Sequence, residues 1–193
     1  LAASLVFITV FSIRKLQKQQ QLLVRLASKD SLTGLDNRRE FIQVTQQALR
    51  SNDIEEPLSL IMFDLDNLKW INDNYGHQAG DKVIQTLAQI IKKQVRETDL
   101  AGRYGGEEFA IILNDSSVED AKIVAERIRQ LAQRLVVEHE GESISFTVSL
   151  GLAQFTPDFK GALAWLECAD QALYEAKENG RNQYRIYAAP GAL

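Results

Sequence analysis

The 193-residue sequence holds one cysteine, Cys168, and only two histidines, His77 and His139. A lone cysteine excludes an intramolecular disulfide framework and any cysteine-rich zinc site. Two histidines exclude a three-histidine metal centre, and no Ser/His/Asp set or other nucleophile constellation is indicated. A basic excess is also missing. There are 22 Lys+Arg against 26 Asp+Glu, a net charge of −4 and a pI near 5.3, which argues against a DNA or RNA binder. No internal repeat or low-complexity tract occurs. With 45% hydrophobic and 25% charged residues, the chain is too apolar for a disordered one. Its length suits one domain with a short appendage. What remains in quantity is carboxylate, whose oxygens prefer hard cations such as Mg²⁺.

The charge is unevenly spread. Residues 1–28 carry Arg14, Lys15, Lys18 and Arg25 and no acid, so residues 29–193 hold a net −8. Leu1 to Ile13 is apolar apart from Ser4, Thr9 and Ser12. As a helix this stretch would reach about 20 Å, short of the roughly 30 Å bilayer core. A signal-peptide core, an ordinary core helix and the cut end of a transmembrane helix all compete. The basic residues follow the apolar run, as a cytoplasmic flank does, which favours the membrane reading. Lys15 to Ala27, KLQKQQQLLVRLA, is rich in helix formers and free of Gly and Pro. It reads as a helical linker, with apolar spacing too brief to decide between a coiled coil and a solvated connector. The expected organisation is residues 1–28 as membrane-helix end plus linker and residues 29–193 as one catalytic or binding domain.

From Ser28 onward the pattern is mixed α/β. Helices are expected over Arg38–Arg50, Lys82–Val95, Val118–Leu135 and Ala162–Lys177, the last stopped by Asn179-Gly180. Leu58–Asp64 suits a buried strand, Ile144–Phe155 alternates as one long strand, and Arg185–Ala188 suits a closing strand. Leu100–Leu113 reads as two strands joined at Gly105-Gly106, a dipeptide favoured where both turn residues need positive φ.

The chemistry gathers at strand ends. Asp64 closes its strand and Asp66 follows two residues on; Glu107 and Glu108 sit on the rim of the Gly-Gly hairpin. If the two strands are neighbours, Asp64 and Glu107 converge into an acidic pocket where like charges raise each other's pKa. A divalent cation would remove that cost. Taken singly, a DxD or an EE pair is more often ordinary strand-end polarity.

Together these residues resemble the GGDEF family of diguanylate cyclases. The signature is Gly105-Gly106-Glu107-Glu108-Phe109, in the GGEEF form. Asp30-Ser31-Leu32-Thr33-Gly34-Leu35-Asp36-Asn37-Arg38-Arg39 is similar to the family's DxLTxLxNRR segment. Phe63-Asp64-Leu65-Asp66, Lys69, Ile71-Asn72-Asp73, Gly76-His77-Gln78-Ala79-Gly80-Asp81 and Ala169–Lys177 leading to Gly180-Arg181-Asn182 follow in the family's order. The resemblance covers about Ser28 to Tyr187.

The resemblance implies an α+β fold, an α/β sandwich of the nucleotide-cyclase palm type. In it a mainly antiparallel five-stranded sheet is flanked by helices and preceded by an N-terminal helix. It implies condensation of two GTP into cyclic di-GMP with release of two pyrophosphates, assisted by two Mg²⁺ (or Mn²⁺) ions per active site. Asp64, the Leu65 carbonyl, Glu107 and Glu108 would be metal ligands, with Glu107 accepting the proton of the attacking ribose 3′-hydroxyl and Lys69 stabilising the transition state. Asn72 and Asp81 would hold guanine, although Asp81 alone could be only a helix N-cap. Lys177 and Arg181 would hold the outer phosphates. Arg96 and Asp99, in Arg96-Glu97-Thr98-Asp99, together with Arg127 match an inhibitory product site, for which guanidinium groups suit phosphate and base. His77 belongs to the loop scaffold. The implied partners are GTP, cyclic di-GMP, a second copy of the chain and a membrane through the upstream helix. The implied location is the bacterial inner membrane with the catalytic domain cytoplasmic. A silent GTP or cyclic di-GMP sensor and a dimerisation module are the alternatives, and the intact Asp64, Lys69, Glu107, Glu108 and Lys177 favour the enzyme.

Overall fold

The computed structural model describes residues 13–15, 28–50 and 56–188. The expected membrane-helix end and most of the helical linker lie outside the described residues. Among those described, no helix is long and apolar enough to cross a membrane.

Eight strands and five helices follow Ser28. They are β1 (Asp36–Asn37), α1 (Arg38–Arg50), β2 (Ser59–Leu65), α2 (Leu68–Tyr75), α3 (His77–Gln94), β3 (Leu100–Arg103), β4 (Glu108–Leu113) and α4 (Val118–Arg134). After them come β5 (Val136–His139), β6 (Glu142–Ser145), β7 (Val148–Gln154), α5 (Ala162–Glu178) and β8 (Tyr184–Ile186). Six strands form one mixed sheet in the order β1-β3-β4-β2-β7-β8. β2 lies antiparallel to both β4 and β7, and the parallel pairs, β1 with β3 and β7 with β8, sit at the edges.

The central strands alternate between two cores. On β2, Ile61, Phe63 and Leu65 join one cluster, beside Val83, Leu87 and Ile91 of α3 and Ala125 and Ile128 of α4. Leu60 and Met62 join the other, beside Phe41 of α1 and Trp165, Ala169 and Leu173 of α5. Every residue of β2 is buried, which is why it reads as an uninterrupted apolar run rather than an alternating one. Period two also decides where its last even-numbered residue goes: Asp64 faces the α1/α5 layer. Helix α5 lies so close to β7 that a Cβ on Gly151 would overlap the carbonyl of Ala169 and the backbone of Leu173.

The structure differs from the sequence expectations in five places. The sheet has six strands rather than five, because β1 is a two-residue strand too short to leave a pattern. The expected strand over Ile144–Phe155 is two. β6 pairs with β5 in a separate hairpin and β7 enters the main sheet, yet Ile144, Phe146 and Val148 are all buried, so alternation runs on across the break. α2 was not foreseen. It is eight residues long, follows Asn67 at φ 58° and buries only Leu68 and Ile71. α3 starts at His77 instead of Lys82, capped by Gly76 at φ 85°, so Asp81 lies inside the helix and is not its N-cap. Neither Gly105 nor Gly106 is among the glycines at positive φ. The bare Cα of Gly105 instead leaves room for the Glu108 carboxylate, which a Cβ there would displace.

Replacing Gly151 with alanine pushes a methyl into the α5 backbone, which cannot rotate away. Urea unfolding of Gly151→Ala should show a loss of about 1–3 kcal/mol, with the slope against denaturant unchanged.

Candidate functional site

β4 and β2 meet so that Asp64 stands opposite Glu108. The ladder continues one step past the strand ends, where Leu65 N–H donates to the Glu107 carbonyl at 3.2 Å. The four-residue turn Tyr104–Glu107 is closed by Tyr104 and Gly105 N–H groups donating to the Glu108 carbonyl at 2.8 and 3.1 Å. Two acidic residues of the hairpin are thereby brought beside the acidic end of β2, as the motif spacing led one to expect.

Lys177 supplies the countercharge. It lies one turn beyond Leu173 on the face of α5 that covers β2 and β7, so its stem runs along the sheet to the strand end. Its Nζ is 2.7 Å from Asp64 Oδ2. Burial pushes the Asp64 carboxyl up; Lys177 opposes this, and Glu107 and Glu108 add to it, leaving the group at about 6. Burial likewise raises Glu107, offset by Lys177 and reinforced by Glu108. Asp64 and Glu107 therefore share the influence of one ammonium, with Glu108 as a further acid beside them. Among the described residues no group of three His, Cys, Asp or Glu side chains is gathered closely enough to hold an ion; Asp64 is turned to Lys177 instead. The donor set nonetheless fits a hard divalent cation: all oxygen, partly buried and mutually repelling, which is the condition a cation relieves.

The remaining sequence candidates are placed as follows. Lys69 is exposed at the second position of α2. Asn72, on the same helix, packs its side-chain amide against Gly80, where any Cβ would overlap Asn72 Oδ1. Gly80 immediately precedes the exposed Asp81, so α2 and α3 bring the two proposed guanine residues to adjoining positions. Arg181 is exposed and follows α5 at φ 61°. Asp66 does not join the acidic cluster. It is 5% exposed and its carboxylate accepts from Thr147 Oγ1 and Ser149 Oγ, both at 2.7 Å, and from Asn182 N–H at 3.1 Å.

Arg96, Asp99 and Arg127 line one cavity of about 190 Å³, together with Ser116, Asp120 and Ile123. Leu113 also lines it, so this cavity sits at the far end of β4 from Glu108, about 17 Å away at 3.4 Å per residue. Asp99 shapes the turn as well, accepting from Arg96 N–H at 2.8 Å and Asn114 N–H at 3.1 Å.

One contributor had no signal in the sequence reading. Arg103 donates to the Gly106 carbonyl from Nε at 3.2 Å and Nη2 at 2.6 Å, and its Nη1 reaches both oxygens of Asp30 at 3.2 Å. Burial raises Asp30, but hydrogen bonds from Thr33 and the Arg103 charge outweigh it and hold the carboxyl below its usual range. Ser28–Asp30, where the domain begins, is thus tied to the hairpin turn.

Comparison with known proteins decides what this arrangement belongs to. Residues 27–183 match the family model described as "Diguanylate cyclase, GGDEF domain". The chain belongs to the GGDEF family. Among its relatives, "Diguanylate cyclase A" of Treponema denticola is 40% identical over 168 residues, covering 85% of this chain and 45% of that protein. "Response regulator PleD" of Caulobacter vibrioides is 38% identical over 162 residues, covering 82% and 36%. The chain therefore spans less than half the length of these curated relatives. Among solved GGDEF structures, the coiled coil and GGDEF domain of DgcB from Caulobacter crescentus, in complex with c-di-GMP, superposes with a TM-score of 0.84 at 29% identity, covering 92% of this chain and 95% of that one. The active GGEEF domain of a diguanylate cyclase from Vibrio cholerae gives 0.74 at 35% identity, covering 80% and 98%. An α+β fold with a mixed sheet between helices is what these neighbours and this GGDEF domain have in common.

The raised Asp64 pKa has a consequence for stability. The folded protein binds this proton more tightly than the unfolded chain, so the stabilisation is complete below about 4 and is lost as pH rises through about 6. In a chelator, thermal unfolding of Asp64→Asn should therefore gain on the parent between pH 4 and pH 7. The two should come together at the acid end.

Proposed function

We propose that this GGDEF domain is a diguanylate cyclase, condensing two GTP into cyclic di-GMP and two pyrophosphates. The observation that carries the reading is the meeting of Asp64, Glu107 and Glu108 at one end of the sheet, with Lys177 paired to Asp64, in a chain of this family. Each ribose 3′-oxygen attacks the α-phosphorus of the other nucleotide; a P–O bond forms there and the bond to pyrophosphate breaks. Glu107 accepts the hydroxyl proton, a task suited to a carboxylate whose pKa burial has raised toward the working pH. Asp64, the Leu65 carbonyl, Glu107 and Glu108 would hold Mg²⁺ or Mn²⁺, two per site. Bound there, the metal would neutralise the triphosphate and stabilise the attacking and leaving oxygens. Lys69 stabilises the charge that develops on the phosphoryl group, and Lys177 and Arg181 bind the outer phosphates. Lys177 can do so once Asp64 no longer needs it as its countercharge.

Asn72 and Asp81 accept from guanine N1–H and the exocyclic amine, edges adenine does not offer. A polar pocket left unpaired by the wrong base discriminates strongly. Each domain holds one GTP, so the reaction needs two copies face to face, with residues 1–28 setting their geometry below the inner membrane and the catalytic domain in the cytoplasm. The cavity at Arg96, Asp99 and Arg127 takes the product and slows the enzyme. The solved DgcB domain bound to c-di-GMP supports a product site in this family.

Purified chain with GTP and Mg²⁺ should form cyclic di-GMP, and Glu107→Ala should lower the rate at least about a hundredfold, the scale of a lost general base. Product absent from the parent, or formed equally by Glu107→Ala, would refute the enzyme. Progress curves should flatten as product accumulates in the parent and stay linear in Arg96→Ala.

A further inference from the structure

We propose that Arg129, on α4, is a positioning residue for the phosphate end of the substrate, acting through Asn182 on the turn that presents Arg181. The proposal rests on the reading that Arg181 binds the outer phosphates of GTP.

That turn is unusual. Gly180, Arg181 and Asn182 are all left-handed, at φ 107°, 61° and 46°. Glycine adopts this region freely and asparagine tolerates it, but a left-handed arginine is strained and persists only where the surroundings impose it. Three contacts impose it. Arg181 N–H donates to the Ala176 carbonyl at 3.1 Å, continuing the end of α5. Asn182 N–H donates to Asp66 Oδ2 at 3.1 Å, two residues beyond Asp64. From the other side Arg129 Nη1 donates to Asn182 Oδ1 at 2.8 Å and to the Asn182 carbonyl at 3.3 Å. The turn is thus clamped between the end of β2 and the middle of α4.

Arg129 is built to be rigid. Glu126, one turn earlier, takes Nε at 2.8 Å and Nη2 at 2.7 Å, a two-armed pairing that fixes the guanidinium plane. Gln133 takes Nη1 at 2.9 Å, and Glu126 itself receives Gln130 Nε2 at 2.8 Å. Hydrogen bonds from Arg129 and Gln130 hold the Glu126 carboxyl down at about 2 against a smaller effect of burial. A planar fork with one edge locked presents its remaining nitrogen in a fixed direction, which a lysine cannot do. Glu126 and Gln133 both lie on α4 itself, so the Asn182 contacts are what carry Arg129 from this helix to the turn. Its third nitrogen, shared with Gln133, reaches the residue that follows Arg181.

The test separates phosphate positioning from general scaffolding by comparing two ligands. Binding of 3′-deoxy-GTP, which cannot cyclise, and of GMP is measured calorimetrically with Mg²⁺. The proteins are the parent chain, Arg129→Ala, Arg129→Lys, Arg181→Ala and the Arg129→Ala/Arg181→Ala double variant. Arg129→Ala should weaken 3′-deoxy-GTP about tenfold and leave GMP within about twofold, since GMP lacks the outer phosphates. Arg129→Lys should recover part of that loss, and the double variant should be no weaker than Arg181→Ala alone. The proposal is overturned if Arg129→Ala weakens both ligands alike, or weakens neither while Arg181→Ala weakens 3′-deoxy-GTP. If Arg181→Ala leaves 3′-deoxy-GTP binding unchanged, the phosphate assignment itself falls and takes the proposal with it. Should Arg129→Ala not fold, Asn182→Ala removes the shorter, side-chain contact while leaving Arg129 on Glu126 and on the main-chain carbonyl, and the same outcomes apply.

Discussion

A carboxylate at the end of a fully buried strand needs a countercharge, and in this domain Lys177 provides it for Asp64. The pair joins the centre of the sheet to the end of α5 across 113 positions of sequence. It requires α5 to lie flat on β7, which the absence of a side chain at Gly151 permits. It also requires β4 to pair with β2 in one register, since a one-residue slip would turn Asp64 or Glu108 to the opposite face. Even with the pair made, burial and the neighbouring acids leave Asp64 at about 6. The site is electrostatically incomplete by itself, which is what a site for a cation and a polyanion should be.

Around this pair, several glycines serve close approach rather than turn conformation. Gly151 admits α5, Gly80 admits the Asn72 amide and Gly105 leaves room for the Glu108 carboxylate. At Asn182, one of the non-glycine residues in the left-handed region, the Asp66 carboxylate and the Arg129 guanidinium hold the backbone there. The acidic end of the sheet and the arginine-lined cavity occupy opposite ends of β4, a separation that lets one strand serve both without their charges meeting.

Much of this was legible in the residues. Strand and helix faces followed from periods of 2 and 3.6, and α1, α4, α5, β2 and β4 fall within a residue or two of expectation. The convergence of Asp64 with Glu107 and Glu108 was legible as well, because both lie at the ends of strongly patterned strands. Short elements were not. β1 has two residues and α2 buries only two, so neither leaves a periodic trace. The break between β6 and β7 was hidden because Ile144, Phe146 and Val148 are apolar in a continuous alternation though they belong to two sheets. Asp81 lay inside a helix whose start at His77 has no side-chain cap to announce it.

Composition, motif order and apolar period were set by the sequence alone: an acidic domain, without the residues for a disulfide framework or a three-histidine metal centre, carrying the residue types for metal and nucleotide. Such properties are local, and local rules read them. What only the tertiary structure decided was partnership. Lys177 on Asp64, Arg103 on Asp30, and Arg129 and Asp66 on Asn182 join residues dozens to more than a hundred positions apart. No spacing in the chain encodes such contacts. They exist because packing two helical layers on a twisted sheet brings particular ends together, and each buried charge then takes the partner it finds there.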